Sequence, residues 1–285
     1  MSLPSNQTEK VAIVTGSSTG IGYATSLALA RNGFHTYATV RNLGKTKAIE
    51  DVAKDEGLPI ELMELDVDSD ESVNNAIGKI HEKKKRIDVA VNNAGYALVG
   101  PLEDLSMEEI RAQFETNLFG ALRVMKAVLP TMRENRSGTI VNITSMGGRV
   151  AIPLDPAYHG SKFGLEGISE SMRYETEPFG IRVIAIEPRN IKSNFWTNLK
   201  IGNKASSPDS PYASMIGGLQ KAAEKMAQDS LPPDEVAKVI LAAVTSEKPL
   251  PRYTVGEDAA KTIQASKQMS DLDFQNIMRQ RFFGQ

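Results

Sequence analysis

A tyrosine and a lysine stand four residues apart in the segment Tyr158-His-Gly-Ser-Lys162. If this segment is helical, the two side chains share one face of the helix. A free tyrosine has a pKa of about 10, and an ammonium beside it favours the phenolate, so such a pair can transfer protons. This spacing also arises by chance in amphipathic helices. The pair gains weight from Ser145, which lies thirteen residues earlier at the end of a predicted strand.

A second group of residues is suited to holding a phosphate. The segment Thr15-Gly-Ser-Ser-Thr-Gly-Ile-Gly22 follows the first predicted strand and opens a predicted helix. Its glycines allow a tight turn and close approach of the backbone to a ligand, and the helix N-terminus offers free N–H groups to a pyrophosphate. A glycine-rich segment can be only a turn, but its position after a strand favours phosphate binding. The predicted contact residues are Gly16, Ser17, Gly20, Ile21 and Gly22.

The end of the second predicted strand indicates which dinucleotide binds. A site for NAD usually carries an acidic residue there, which bonds the ribose 2′-hydroxyl. Here the segment is Ala38-Thr-Val-Arg-Asn42, which has no acid, and Arg41 can pair with a 2′-phosphate unless it is an ordinary surface residue. The pattern therefore favours NADP(H) over NAD(H). Asp66 and Val67, after the third strand, are placed to flank an adenine, unless Asp66 only caps a turn or a helix.

The elements that must position these residues follow from an alternation of short β-branched runs and longer amphipathic stretches. Most of the short runs are apolar nearly throughout, as expected for strands buried on both faces of a parallel sheet. The alternation predicts an α/β fold: a doubly wound, Rossmann-type parallel sheet of about seven strands with helices on both faces. The predicted strands are Val11–Thr15, Thr36–Val40, Ile60–Leu65, Ile87–Val91, Thr139–Thr144, Arg182–Ile186 and Tyr253–Val255.

Composition narrows the possible functions. The chain has 33 basic and 35 acidic residues, and a net charge of −2 argues against charge-driven binding to nucleic acid or a membrane surface. There is no Cys, and the three His are too scattered to predict a metal site. No apolar run is long enough for a signal core or a membrane span, so we expect a soluble, cytoplasmic protein.

With these motifs assembled, the sequence resembles the short-chain dehydrogenase/reductase family over about residues 8–258. The resemblance extends to Asn117 in Asn117-Leu-Phe-Gly120 and to Arg252-Tyr-Thr-Val-Gly256, with a weaker similarity to the branch of 17β-hydroxysteroid and retinol dehydrogenases. It implies that the phenol of the Tyr–Lys pair is the general acid/base and that Ser145 hydrogen-bonds the substrate oxygen. It also implies that the lysine holds the nicotinamide ribose and that Asn117 holds a water linking this lysine to solvent.

The resemblance also assigns the remaining cofactor contacts. It implies that Asn93 and Gly95 support the cofactor and that Pro188, Ile191 and Ser193 lie beside the nicotinamide. The chain departs from the family in Glu187-Pro-Arg-Asn190, because Arg189 stands where a glycine is usual. Either this charge points outward and changes little, or it reaches the cofactor or substrate mouth and disfavours the cationic oxidised nicotinamide.

We expect residues 1–285 to form one domain, with a substrate flap at about 190–230 and a helical tail at about 258–285. The tail would cover the pocket mouth or a partner subunit. Long helices predicted at Ser106–Glu134 and Pro156–Phe179 suit a homodimer or homotetramer. The flap carries apolar side chains that either line a pocket or pack the flap against the domain: Phe195, Trp196, Leu199, Tyr212, Met215, Ile216 and Leu219.

The function predicted from these features is an NADP(H)-dependent oxidoreductase. It would interconvert a hydrophobic secondary alcohol and a ketone or aldehyde. Two alternatives stay open: a cofactor-binding regulator with little turnover, in which Arg189 is the lesion, and a reductase of 3-oxoacyl thioesters. The glycine spacing and the modest C-terminal region argue against a sugar-nucleotide epimerase.

Overall fold

The computed structural model describes residues 9–192, 199–218 and 230–283. Seven of its strands form one sheet in which every pairing is parallel. These seven include each of the predicted strands, so the predicted fold class is confirmed. The strands are β1 (Lys10–Val14), β2 (Phe34–Val40), β3 (Ile60–Glu64), β4 (Val89–Asn92), β5 (Leu98–Val99), β6 (Gly138–Ile143), β7 (Ile181–Pro188), β8 (Lys200–Ile201) and β9 (Arg252–Val255).

The main sheet has the order β3-β2-β1-β4-β6-β7-β9, so the direction of winding reverses between β1 and β4. In open α/β sheets, ligands bind outside the carboxyl ends of the strands at such a reversal. The helices are α1 (Gly20–Arg31), α2 (Lys47–Asp55), α3 (Asp70–Lys84), α4 (Met107–Phe114), α5 (Gly120–Glu134), α6 (Pro156–Thr176), α7 (Pro233–Thr245), α8 (Glu257–Gln268) and α9 (Asp271–Phe283).

Both faces of the sheet are covered, and strand β1 shows why its sequence is apolar throughout. Val11 and Ile13 pack into the core beneath α3, α5 and α6. Ala12 and Val14 point the other way, into the core beneath α1 and α7. Burying a side chain of this size stabilises the fold by about 1.5–3 kcal/mol, so both rows of the strand hold the layers together. No helix in the described ranges is long and apolar enough to cross a membrane.

The helix predicted over Ser106–Glu134 is helical from Met107 to Glu134, and a π-helical turn divides it into α4 and α5. Helix α4 begins with a capping box between Ser106 and Glu109, and a π-helical turn at Glu115–Phe119 joins it to α5. A π turn inserts one extra residue while its neighbours keep nearly helical spacing. Apolar periodicity therefore cannot reveal it.

Strands β5 and β8 form a separate two-stranded parallel sheet. The sequence indicates no strand in the flap region, and two-residue strands are too short to leave a pattern. Of the apolar flap residues, Ile216 packs with Val99 and Leu154, while Leu199 and Met215 pack around them. Phe195, Trp196 and Leu219 lie outside the described residues. The predicted division into one domain with a flap and a tail stays a prediction.

Candidate active site

A cleft of about 1080 Å³ lies along the carboxyl edge of the main sheet. It is walled by the segments that follow β1, β2, β3, β4, β6 and β7, where the winding reverses. The fold thus brings together segments far apart in sequence. Twelve of the predicted site residues line the cleft: Gly16, Gly20, Ile21, Arg41, Val67, Asn93, Gly95, Ser145, Tyr158, Lys162, Pro188 and Ile191.

The glycine-rich turn is built for close contacts. Gly16 and Gly20 have φ angles of +68° and +62°, in the left-handed region that favours glycine. A Cβ on Gly22 would lie 2.4 Å from the Gly16 carbonyl oxygen, so this position accepts no larger residue without movement. Thr19, at the start of α1, makes no side-chain capping bond. The N-terminus of α1 therefore presents backbone N–H groups to the cleft, the arrangement that binds phosphate.

Two of the predicted phosphate contacts lie behind this wall. Ser17 is fully buried, donates its hydroxyl hydrogen bond to the Val14 carbonyl (2.9 Å) and accepts one from Ser26 (3.1 Å). Gly22 packs α1 against the turn. Both residues shape the turn instead of lining the cleft.

Thr15 and Asn93 join the glycine-rich turn to the segment after β4. The Thr15 hydroxyl accepts hydrogen bonds from the backbone N–H groups of Asn93 and Ala94, both at 3.0 Å. The Asn93 amide donates to the carbonyls of Thr15 (2.8 Å) and Gly16 (3.1 Å). The sequence did not predict this role of Thr15. Its one signal was a polar residue ending an apolar strand.

The end of β2 supplies a cationic wall. Arg41, Asn42 and Lys45 line the cleft, and none of them is acidic. Arg41 is exposed and forms no ion pair with any residue in the described part of the chain. The Asn42 side chain accepts a hydrogen bond from Gly44 N–H at 2.7 Å, which holds the short turn after the strand. Lys45, which sequence analysis missed, adds a second cation at this end.

Asp66 does not line the cleft. Its Oδ1 accepts a hydrogen bond from Asp68 N–H at 3.1 Å, so its carboxylate caps a turn, the second of the two interpretations given above. Val67 and Asp68 form the wall instead. Burial raises the pKa of Asp68, while a hydrogen bond from Thr116 (2.9 Å) opposes the shift.

Ser145 and Tyr158 meet at the cleft wall, where they share a hydrogen bond. Two glycines after Ser145 make the approach possible. A Cβ on Gly147 would lie 2.9 Å from His159 Nδ1, and one on Gly148 would lie 2.9 Å from the Lys162 carbonyl oxygen. The segment after β6 therefore packs directly on α6. Sequence analysis overlooked this glycine pair, although it adjoins Ser145.

The pKa of Tyr158 depends on its burial and on the groups around its hydroxyl. Burial raises the pKa of Tyr158 to about 12, and the negative charge of Asp155 adds to the rise, while the hydrogen bond with Ser145 opposes it. Lys162 lies with its Nζ 5.8 Å from the centre of the Tyr158 ring. In the protein without cofactor, burial of the phenolate outweighs the groups that stabilise it, and the joint effect of Lys162 and a cationic nicotinamide stays a prediction.

Lys162 is held in place by the end of strand β6. Its ammonium donates a hydrogen bond to the Ile143 carbonyl at 2.7 Å, at the end of β6. Burial lowers the pKa of Lys162 to about 8, and the carboxylate of Glu166, one turn further along α6, opposes the shift. The ammonium is thus the species that the site holds at neutral pH.

Asn117 lies in the π turn, buried behind the cleft wall. Its Oδ1 accepts a hydrogen bond from Tyr96 N–H (3.0 Å) and its Nδ2 donates one to the Tyr96 carbonyl (2.9 Å). A Cβ on Gly95 would lie 3.0 Å from the same Oδ1. The side chain therefore braces the segment after β4 and does not point at the cleft.

Arg189 lines the cleft, and its guanidinium pairs with the carboxylate of Asp258 in helix α8. Arg189 therefore does not point outward to solvent, and its pairing with Asp258 offsets its positive charge at the cleft. Pro188 and Ile191 flank it on the cleft wall. Ser193 lies outside the described residues. No residue of α8 or α9 lines the cleft in the described ranges.

His159 has a structural role. Its Nδ1 donates a hydrogen bond to the Gly147 carbonyl (2.7 Å), and its Nε2 accepts one from Ile152 N–H (3.0 Å). Burial lowers the pKa of His159, which keeps the ring neutral and consistent with these bonds. Both ring nitrogens are therefore committed to the backbone.

Comparison with known proteins shows which family and which relatives this chain resembles. A family model described as short chain dehydrogenase matches residues 10–204. The uncharacterized oxidoreductase YusZ of Bacillus subtilis is 35% identical over 281 residues, covering 96% of this chain and 99% of that protein. Estradiol 17-beta-dehydrogenase 1 of Rattus norvegicus is 33% identical, covering 85% of this chain and 72% of that protein. Retinol dehydrogenase 8 of Bos taurus is 34% identical, with coverages of 84% and 79%.

Solved structures show the same fold. A short-chain dehydrogenase from Streptomyces avermitilis superposes with a TM-score of 0.79 at 31% identity, covering 95% of this chain and 96% of that one. An alcohol dehydrogenase from the archaeon Thermococcus sibiricus, complexed with 5-hydroxy-NADP, has a TM-score of 0.71 at 26% identity, with coverages of 86% and 95%.

Proposed function

This chain belongs to the short-chain dehydrogenase/reductase family, and we propose that it is an NADP(H)-dependent oxidoreductase that interconverts a hydrophobic secondary alcohol and a ketone or aldehyde. The observation that carries the proposal is the hydrogen bond between Ser145 and Tyr158 on the wall of a cleft whose other end is a glycine-rich turn. A proton donor and a phosphate-binding turn in one cleft suit hydride chemistry on a carbonyl group.

The residues of the cleft fit a nicotinamide dinucleotide, which when bound supplies or accepts the hydride. The start of α1, uncapped at Thr19, would hold the pyrophosphate. Arg41 and Lys45 would hold a 2′-phosphate, because their cationic groups line the cleft where an NAD site would carry an acid. Lys162 would hold the nicotinamide ribose, and Pro188, Ile191 and Ser193 would border the ring.

The chain's own part in the reaction is to hold and move one proton. In reduction, Ser145 donates a hydrogen bond to the substrate oxygen while Tyr158 gives its proton to that oxygen. The raised pKa of Tyr158, about 12, keeps the phenol protonated and ready for this role. In oxidation the phenolate is required, and it depends on the nearby Lys162 ammonium and on the positive charge of an oxidised nicotinamide.

The proton that Tyr158 gives up must be replaced from solvent. The side chain of Asn117 is occupied by the Tyr96 backbone, so a relay water at Asn117 would bind its main-chain carbonyl in the π turn. Such turns interrupt the regular helical hydrogen-bond pattern and are frequent at functional sites. This route keeps Asn117 in the relay that the family resemblance implies, with its main-chain carbonyl as the water-binding group.

The lining of the cleft at its substrate end favours a hydrophobic substrate. The cleft is lined there by apolar side chains from the two-stranded sheet, the segment before α6 and the flap: Val99, Ile152, Leu199, Ile201 and Ile216. A second, largely apolar depression of about 420 Å³ shares Ile152 and His159 with the cleft and includes Tyr212 and Met215. Ile216 both lines the cleft and packs against Val99 and Leu154. The described part of the flap therefore supports both roles, lining a pocket and packing against the domain.

The regulator alternative depends on Arg189 as a lesion. Its pairing with Asp258 weakens that case, because the charge at the nicotinamide end is offset. Nothing in the described cleft favours a 3-oxoacyl thioester over a simple ketone. For assembly, exposed apolar side chains on the α4–α6 side support a homodimer or homotetramer: Met107, Phe119, Phe163 and Tyr174.

The test is the loss of NADPH absorbance in the presence of hydrophobic ketones and aldehydes, with NADH in parallel. We expect turnover by the wild-type protein, faster with NADPH, and none above background with Tyr158→Phe. Binding of NADPH without turnover of any compound would instead support the regulator. Sedimentation of the same preparation measures the oligomeric state.

A further inference from the structure

Asp155 is a carboxylic acid on the cleft wall for which the proposed reaction has no use. It directly precedes α6, three residues before Tyr158, and it lines the cleft. The side chain does not cap the helix. Its Oδ1 is buried and has no hydrogen-bond partner among the residues that the structure describes. A buried polar atom without a partner costs free energy, so a native site that keeps one calls for an explanation.

The neighbouring groups in the described structure are already committed. Both ring nitrogens of His159 bond to the backbone of the segment after β6. Ser145 accepts a hydrogen bond from Gly147 N–H at 2.9 Å and shares another with Tyr158. What remains on the open side of Asp155 is the cleft itself. Because Asp155 lines the cleft, a ligand there lies beside its carboxyl group.

The chemistry of the partner follows from the carboxyl group. Burial raises the pKa of Asp155 to about 7, so both the acid and the carboxylate are accessible near neutrality. A hydroxyl group both donates and accepts hydrogen bonds, so it pairs with either form. Asp155 precedes Tyr158 by three residues and both line the cleft, so the carboxyl group lies on the same wall as the phenol. The charge of Asp155 also acts on the Tyr158 phenol.

We propose that Asp155 is a specificity-determining residue that hydrogen-bonds a hydroxyl group of the substrate, one or two carbons from the reacting carbon. The substrate class is then hydroxyketones with an apolar remainder, and diols in the reverse direction. The inference rests on the proposed function, since it names the substrates of that same site. A plain ketone lacks the hydroxyl and leaves the Asp155 oxygen buried without a partner, and this difference generates the selectivity.

The experiment compares matched substrates with saturating NADPH. A 1-hydroxy-2-ketone is measured against the 2-ketone of the same chain length and against its 1-methoxy analogue, which keeps an ether oxygen but cannot donate. For the wild-type protein we expect kcat/KM to be about tenfold or more higher for the hydroxyketone than for either control. Asp155→Asn should keep part of this preference because an amide also bonds a hydroxyl. Asp155→Val should bring the ratio of hydroxyketone to ketone close to one.

Three outcomes are distinguishable. If no ketone of any kind is reduced, the proposed function fails. If ketones are reduced but the wild-type protein shows no preference, or if Asp155→Val keeps the preference, the inference about Asp155 is overturned while the function stands. Asp55→Val, at an exposed position at the end of α2, controls for the substitution type. Melting curves and NADPH binding identify a misfolded variant. In that case the wild-type comparison of hydroxy and methoxy substrates decides the matter.

Discussion

The two ends of the cleft are built in different ways. The glycine-rich turn at the phosphate end comes from one continuous segment, residues 15–22, which is built on backbone groups and glycines and is braced by Asn93. The substrate end gathers Ser145, Tyr158, Asp155 and Ile216 from separate elements, and its contacts are made by side chains. A backbone-built site tolerates few substitutions but is visible in local sequence. A site built from side chains can change its substrate while the cofactor site stays as it is.

The variant Tyr158→Phe should separate the two ends of the cleft most clearly. Removing the hydroxyl leaves the ring in place and deletes the proton donor, so kcat should fall by about 10²–10⁴-fold. The phosphate end should be unaffected, with the dissociation constant of NADPH changing by less than about threefold. Stopped-flow and steady-state rates with one ketone measure the first effect, and fluorescence titration measures the second. A comparable loss of NADPH affinity would mean that the two ends are not separable.

Gly22→Ala tests the phosphate end. Its Cβ would lie 2.4 Å from the Gly16 carbonyl oxygen and 2.5 Å from Asn93 Nδ2, so the turn must move. Overpacking of this kind costs about 1–3 kcal/mol, and we expect a lower free energy of unfolding together with weaker NADPH binding. Denaturant titration with and without NADPH measures both. Gly78→Ala in α3, where a Cβ meets nothing within 4 Å, is the matched control and should be neutral or stabilising.

The variant Arg41→Ala tests the predicted preference for NADP(H) over NAD(H). A charge-assisted hydrogen bond contributes about 1.5–3 kcal/mol, so the affinity for NADPH should fall by about 10- to 100-fold. NADH binding should hardly change because NADH lacks the 2′-phosphate. Lys45→Ala should give a smaller effect in the same direction. Equal losses for both cofactors would argue that Arg41 supports the turn and does not read the phosphate.

The pKa of Asp155 predicts a pH effect on stability at the substrate end. The native state raises this pKa from 3.8 to about 7, so it binds the proton more tightly than the unfolded state. The contribution is fully present below pH about 4 and is lost as the pH rises through about 7. From pH 5 to pH 8, the free energy of unfolding of the wild type should fall by about 2–3 kcal/mol relative to Asp155→Asn. Urea titrations at both pH values measure this difference, and parallel pH profiles would contradict the prediction.

The smallest expected effect concerns Arg189. Because Asp258 pairs with its guanidinium, Arg189→Gly should change the ratio of the NADP⁺ and NADPH dissociation constants by less than about twofold. Asp258→Asn removes this carboxylate and should weaken NADP⁺ more than NADPH, since it takes away a negative charge beside Arg189 near the oxidised ring. Isothermal titration of both cofactors separates these results. A large change in the ratio with Arg189→Gly alone would restore the second interpretation of this residue.

Local sequence determined the sheet and the phosphate end. Strands buried on two faces are apolar throughout, so each is visible by itself, and Gly16 and Gly20 mark backbone angles that few other residues adopt. The order of the motifs along the chain also placed Ser145, Tyr158 and Lys162 correctly on one cleft.

Tertiary structure alone decided where neighbouring side chains point and how they titrate. Asp66 turns back onto Asp68, and Asn117 is held by Tyr96, because partners distant in space or on the other side of a turn compete for each polar group. The pKa of Tyr158 rises because the packed loop and helix exclude water from the phenol, which no pattern of residues records. The tertiary structure alone also shows that Asp155 Oδ1 has no hydrogen-bond partner among the described residues, since this requires the positions of all its neighbours.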